Sequence, residues 1–364
     1  MSLDKIDLAH LQSALAKNSA RWQAGKTPMS DLSDADKRRR LGAVPPPGAP
    51  SLQEREVTAA ARAQAIGGPG GAGYPDTYDW RNVGGESYIT PITDQGACGS
   101  CVAFGSTATV EAMVRIGRGD PNYAVDLSEA HLFYCYAAQE GCNCESGWWP
   151  DNAFDAYKSG IVDEACFPYT AGDQSCNLCS DWQSRLTMIS GWHTVSSADD
   201  MKTWIANNGP LDACFTVYND FFSYTGGIYT HVTGDVAGGH CISVVGYDDV
   251  NGCWICKNSW GPGWGESGFF RIAYGQCGID STMWAAEGIV ATGWERGATI
   301  IGLWAIDQAN NAWVYADKIG WRKIAPDNDN IFYDLLMQLV TAKSIGSPVD
   351  FYEDQGIIKQ VAVW

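Results

Sequence analysis

Hydrophobic and polar positions divide the chain into stretches of different period. Between residues 5 and 24, Leu8, Leu11, Leu15 and Trp22 recur at spacings of three, four and seven, which predicts an amphipathic helix. A polar stretch and the basic run Lys37-Arg38-Arg39-Arg40 follow. Gly42-Ala-Val-Pro-Pro-Pro-Gly-Ala-Pro50 ends any helix, because proline lacks the N–H and clashes with the preceding turn. Residues 66–73, Ile-Gly-Gly-Pro-Gly-Gly-Ala-Gly, are a second breaker whose glycines give a mobile tether. Residues 1–73 therefore read as a helical appendage.

Beyond the tether the period changes twice. Phe104, Ala108, Ala112 and Ile116 form an i, i+4 ladder, predicting a helix from Cys101 that Gly117 and Gly119 close. A second helix is expected over 151–158. Two β-branched and aromatic runs, 241–247 and 253–257, flank Asp248-Asp-Val-Asn-Gly252, a strong hairpin signal. A helical half followed by a β half predicts two lobes with a cleft between them. The tail reads as short strands over 300–306, 312–316 and 321–324. A helix carrying Phe332, Leu335, Leu336, Leu339 and Ala342 follows, then strands over 349–352 and 357–363.

Composition narrows the function classes. A chain of 364 residues has a prior of about two domains, at roughly 150 residues each. With 24 Lys plus Arg against 42 Asp plus Glu, the net charge is −18, so nucleic acid is not an expected ligand. No apolar run approaches the ~18 residues of a membrane span. All 13 cysteines lie from Cys98 to Cys277, which predicts a disulfide framework, an oxidising compartment and at least one unpaired thiol. Cys176/Cys179 and Cys253/Cys256 have CxxC spacing, but five His in all and no shared spacing between the pairs leave no metal expected. The first 25 residues carry Asp4, Lys5, Asp7 and His10 where a secretory leader needs an apolar core.

The sharpest chemical signal is Gln95-Gly-Ala-Cys98-Gly-Ser-Cys101 at the head of the first long helix. A cysteine in a first helical turn meets orphan N–H groups and the macrodipole, which favour the thiolate; the alternative is a disulfide partner. A nucleophilic thiol wants an imidazole, and the imidazole an orienting group. With the hairpin turn centred near Val250, His240 mirrors Trp260. Asn258 then falls on the same face two residues away. A core histidine and a turn asparagine are the plainer readings, and the shared face weighs against both.

With these residues in place, the sequence resembles the papain-like cysteine peptidases of the cathepsin group. Tyr74-Pro-Asp-Thr-Tyr-Asp-Trp-Arg81 is similar to their mature N-terminus, and Gln95 to Cys101 to their nucleophile motif. Leu127-Ser-Glu-Ala-His-Leu-Phe-Tyr-Cys135 and Gly141-Cys-Asn143 follow the family's helical lobe. Gly239-His-Cys-Ile-Ser-Val-Val-Gly-Tyr247 and Lys257-Asn-Ser-Trp-Gly-Pro-Gly263 follow its β lobe. His240 lies about 140 residues after Cys101, inside the family's ~130–150 window, and Asn258 slightly beyond it.

The resemblance implies an α+β fold, a papain-like pair of lobes, one helical and one β-barrel-like, over 74–293; the strand and helix pattern of the tail adds a small α+β module over 294–364. It implies a cysteine endopeptidase without cofactor or metal. Cys101 would be the nucleophile and His240 its partner, with Asn258 orienting the ring. Gln95 and the Cys101 N–H would form the oxyanion hole, and Trp260 would shield the Asn–His bond. Gly147, Trp148, Trp149, Gly238, Gly239 and Thr282 would line the substrate cleft. The family's pattern pairs Cys98 with Cys142 and joins Cys135 to Cys176 or Cys179; twelve cysteines besides Cys101 allow six bridges.

Val102 stands where the family has Trp. Cys241 follows His240 as a staple candidate, and 144–149 reads as an insertion in the substrate wall. Residues 1–73 fit a propeptide acting as an intramolecular inhibitor, in a secreted or periplasmic protein acting on peptide or protein substrates. Lys37 to Arg40 reads as a solvated basic run, with a processing site as the alternative. In the tail, Trp313, Tyr315 and Trp321 read as strand core, or else as a surface for a carbohydrate or protein ligand. A catalytically silent binding protein and a thiol acyltransferase are the rival functions.

Overall fold

The computed structural model describes residues 6–63, 73–291, 293–305, 309–317, 320–326, 328–354 and 356–363. Of the glycine-rich tether at 66–73, all but Gly73 lies outside the described residues. The first helix, α1 (Leu8–Lys17), begins where the Asp7 side chain accepts from the Ala9 N–H, and it buries Leu11 and Leu15. It stops five residues short of Trp22, because Ser19 turns the chain at φ +50°. Trp22 instead opens strand β1 (Trp22–Ala24), and its indole N–H donates to the Thr230 carbonyl at 2.9 Å. Helices α2 (Asp34–Arg39) and α3 (Leu52–Ala63) flank the proline-rich stretch.

Strand β2 (Thr77–Asp79) leads to α4 (Cys101–Arg118), which Gly119 closes in the left-handed conformation, as the pattern predicted. A π-helical turn at His131–Ala137 and α5 (Pro150–Ser159) complete the helical lobe. Proline at the first position of α5 forgoes an N–H that a helix start leaves unpaired anyway. Three disulfides tie this lobe together: Cys98–Cys144, Cys135–Cys176 and Cys166–Cys179.

The second half supplies β3 (Thr187–Val195), α6 (Ala198–Asn207), β4 (Leu211–Tyr218), β5 (Tyr224–Tyr229) and β6 (Val236–Asp248). Strands β7 (Cys253–Lys257), β8 (Phe269–Ala273) and β9 (Met283–Ala291) complete it. They form a nine-stranded sheet ordered β1-β5-β8-β7-β6-β4-β9-β3, with β2 against β6. Among the described residues this path does not close into a barrel. Segment β1 adds itself antiparallel to β5, so the N-terminal region contributes a strand to the β lobe. Leu11, Leu15 and Trp22 share the core of Phe215, Phe221, Trp254 and Trp264. Ala43 and Leu52 share the helical-lobe core of Val102, Phe133, Phe154 and Tyr157.

The tail is a six-stranded sheet of β10 (Gly293–Ala298), β11 (Ile300–Ala305), β12 (Ala312–Ala316), β13 (Gly320–Ile324), β14 (Val349–Asp354) and β15 (Ile357–Val363). Helix α7 (Asp329–Ile345) covers it, with Leu335 and Leu339 packed among Val314, Ile324, Phe351 and Ile358. Strand β10 was not anticipated; its Trp-Glu-Arg-Gly run is too polar to read as a strand. Ala312, Val314 and Ala316 face the helix, so Trp313 and Tyr315 are turned to the other side of the sheet. The expectation that these aromatics form strand core is therefore corrected: both are only half-buried, and Trp321 is exposed.

Buried charge joins tail to lobes. Arg118 of α4 pairs with Glu295, while Arg322 pairs with the fully buried Glu353 and donates to the Ile289 carbonyl of β9. Burial raises the pKa of Glu353, and the two arginines oppose that rise. Removing one partner of such a pair leaves a stranded buried charge. Arg322→Ala should cost about 3 kcal/mol, read as a lower urea midpoint; an unchanged midpoint would contradict this account.

Candidate active site

Cys101 occupies the first turn of α4 and is wholly buried. Its Sγ accepts a hydrogen bond from the Gly42 N–H at 3.2 Å. Burial pushes the thiol up to about 12, and the nearby Cys214 adds to the rise. The N–H groups of Gly42 and Cys241 oppose it. The thiolate expected from helix position is thus absent in this state. A macrodipole worth about 0.3–1 kcal/mol does not offset the loss of water around a sulfur anion.

His240 lies on β6, with its Nε2 2.7 Å from Asn258 Oδ1. An oxygen acceptor there requires the proton on Nε2 and leaves Nδ1 bare; Nδ1 is buried without a hydrogen bond. Burial lowers the imidazole to about 4, partly opposed by Asn258 and by the Arg40 backbone. The predicted hairpin explains the contact. Ser243 faces Lys257 and Val244 faces Cys256, and continuing that register carries His240 and Asn258 to one face. Trp260 covers the ring at 4.7 Å between centroids. Lys257 donates to Thr90, which donates to Glu111 of α4, so the Asn258 strand is tied to the Cys101 helix.

Gln95 is also fully buried. Its Oε1 accepts from the Ser259 hydroxyl at 2.7 Å, and its Nε2 donates to the carbonyls of Cys98 at 2.8 Å and Arg40 at 3.2 Å. Ser259 holds the amide in place. Its signal in the sequence was only adjacency to Asn258.

Residues 40–44 run through the cleft between these groups. Ala43 N–H donates to the Gly239 carbonyl, Trp148 N–H to the Gly42 carbonyl and Val44 N–H to the Trp148 carbonyl, at 3.1, 2.7 and 3.0 Å. The Ala43–Trp148 bridge is parallel. Contact is so close that a Cβ on Gly42 would sit 1.8 Å from the Gly99 oxygen. One on Gly147 would sit 2.2 Å from the Gly42 oxygen, and one on Gly239 2.2 Å from the Ala43 oxygen. Gly238 packs on Leu41, and Arg55 stacks over Trp149. Five of the six expected cleft residues thus touch the N-terminal segment. Thr282 bonds the Ser281 carbonyl, which also accepts from Arg62 of that segment.

The basic run is not a solvated face. Arg40 is buried and bonded to Asp94 at 2.6 Å, Arg38 donates to the Ala237 carbonyl, Arg39 meets Glu145 and Lys37 lies over Phe222. The expected Cys98–Cys142 bridge is also corrected. Asn143 caps a turn through the N–H groups of Glu145 and Ser146, which delivers Cys144, not Cys142, to Cys98. Cys142 is a half-buried thiol. Cys135 takes Cys176, and Cys179 takes Cys166. Seven cysteines are free, so three bridges form where six were allowed. Cys241 is no staple: its thiol donates to the buried Asp212 carboxylate at 3.2 Å.

Residues 74–287 match the family model described as papain family cysteine protease. The cathepsin B-like CP3 of Giardia intestinalis is 37% identical over 226 residues, covering 57% of this chain and 73% of that protein. Pro-cathepsin H of Mus musculus is 35% identical over 218 residues, covering 57% of this chain and 63% of that one. Among solved structures, procathepsin B S9 from Trypanosoma congolense superposes with a TM-score of 0.62 at 26% identity. That match covers 78% of this chain and 98% of the other.

The tight seat of Gly42 makes its own prediction. Gly42→Ala forces the segment off Gly99 at a cost of about 1–3 kcal/mol. Iodoacetamide should then label Cys101 roughly five- to a hundredfold faster than in the unaltered chain, read by peptide mass mapping. Equal labelling would show that the segment does not shield the sulfur.

Proposed function

The chain belongs to the papain family of cysteine proteases, and from that premise we propose that it hydrolyses peptide bonds through Cys101, His240 and Asn258 and is held as a precursor by residues 1–73. In this reading 74–293 is the peptidase and 294–364 an added module. Cys101 attacks the scissile carbonyl carbon after His240 Nδ1 takes its proton. Asn258 fixes the ring so that the bare nitrogen, not the protonated one, faces the reaction. Gln95 Nε2 and the Cys101 N–H stabilise the oxyanion. Imidazolium then protonates the leaving amine, and water releases the acyl group from sulfur.

The observation that carries this reading is the Arg40 carbonyl on Gln95 Nε2. A peptide oxygen already rests on the amide that would stabilise an oxyanion. The segment escapes cleavage because Gly42 offers the sulfur an N–H and not a carbonyl carbon. Three disulfides and the absence of a membrane-spanning helix among the described residues fit a secreted or periplasmic enzyme.

Two outcomes test the reading. After cleavage between residues 63 and 73, a fluorogenic peptide panel should be hydrolysed in a Cys101-dependent manner, with Cys101→Ala inactive. Gln95→Ala should lower kcat by about 10²–10³ with KM little changed. A Cys101→Ala chain of undiminished activity would overturn the assignment.

A further inference from the structure

Two side chains of α3 reach down onto the peptidase. Leu52 packs against Gly239, where an added Cβ would lie 2.3 Å from its Cδ1. One turn later, the Arg55 guanidinium lies 4.9 Å over the Trp149 ring. Trp149 meets Trp284 edge to face at 5.4 Å, and the Trp284 indole N–H donates to Asp151 Oδ1 at 2.7 Å. Asp151 stands in the first turn of α5, the helix that follows Trp149. Arg55 makes one hydrogen bond, from Nε to the Pro50 carbonyl of its own segment. The peptidase therefore meets this cation with the face of Trp149, which is braced by Trp284 and, through Trp284, by Asp151, and not with a hydrogen-bonding clamp. Trp149 and Trp284 are 5% and 2% exposed while the segment is in place. A desolvated ring face selects for positive charge.

Resting on the peptidase reading above, we infer that the slot of Trp149, Trp284 and Asp151 receives an arginine or lysine of the substrate, and that Arg55 occupies it in the precursor as a substitute. Trp149 follows Gly147 and Trp148 in the chain, and Leu52, one turn before Arg55, packs on Gly239, on the wall that the family resemblance assigns to residues preceding the scissile bond. The enzyme should therefore prefer a basic residue at one position on that side. Arginine should be preferred to lysine, since its planar guanidinium stacks on a ring where an ammonium does not. The chain's net charge of −18 adds a long-range attraction in the same sense.

The test uses the full-length chain cut between residues 63 and 73, with fluorogenic peptides that differ only in Arg, Lys, Leu or Glu at each position before the bond. At one position kcat/KM should favour Arg over Leu by about tenfold, with Glu lowest. Asp151→Asn, which keeps the Trp284 acceptor, should reduce that ratio severalfold. Trp149→Leu should abolish the ratio. In the uncut chain, Arg55→Ala should raise residual hydrolysis. Cleavage of Arg and Leu peptides at equal kcat/KM, or a ratio that neither variant changes, would overturn the inference and leave the peptidase reading standing. Failure to cut any peptide would defeat the peptidase reading, and this inference with it.

Discussion

One contact organises the cleft: the backbone N–H of Gly42 on the sulfur of Cys101. Reaching it brings one main chain against three others, at Gly99, Gly147 and Gly239, and no side chain fits at any of those crossings. A segment seated so closely excludes water from both the thiol and the imidazole. Dehydration penalises the charged form of each, so sulfur and ring both rest neutral. In the proposed precursor, chemical quiescence is thus a consequence of packing. Two pairings of the proposed site already stand in this state, Asn258 on His240 and Ser259 on Gln95.

The segment is held from both lobes. Upstream, β1 extends the large sheet and α1 shares its core. At the plug itself, Arg40 is fixed to Asp94 and its carbonyl accepts from Gln95 Nε2. Downstream, Leu52 and Arg55 lie in the peptidase groove. Local release of any one anchor leaves the others in place, so the occluding stretch sits at high effective concentration over Cys101. The tail is anchored elsewhere, through Arg118, Arg322 and their buried glutamates.

Features set by short-range patterning were legible in the sequence. The helix from Cys101 to its glycine cap, the hairpin that aligns His240 with Asn258 and the helix of the tail follow from period and turn chemistry alone. Features set by tertiary contact were not. A one-turn difference in the 142–147 loop decides which cysteine meets Cys98, and no local signal at Cys142 distinguishes it from Cys144. The basic run looked solvated because its partners, Asp94, Glu145 and Phe222, lie far along the chain. The raised pKa of the buried thiol was hidden for the same reason: helix position is visible in the sequence, and burial by residues 40–44 is not. Trp313 and Tyr315 alternate with the residues that face the helix, and the sequence does not say which face is the core.

The central claim is that the seated segment, and not the helix around Cys101, sets the charge on its sulfur. Thiolate absorbance in the ultraviolet, taken as the difference between the natural chain and Cys101→Ser, measures that charge directly. The intact chain should show no Cys101 thiolate at neutral pH, and the chain cut between residues 63 and 73 and freed of its N-terminal piece should show it. A thiolate signal in the intact chain, or no difference between the two forms, would contradict the account.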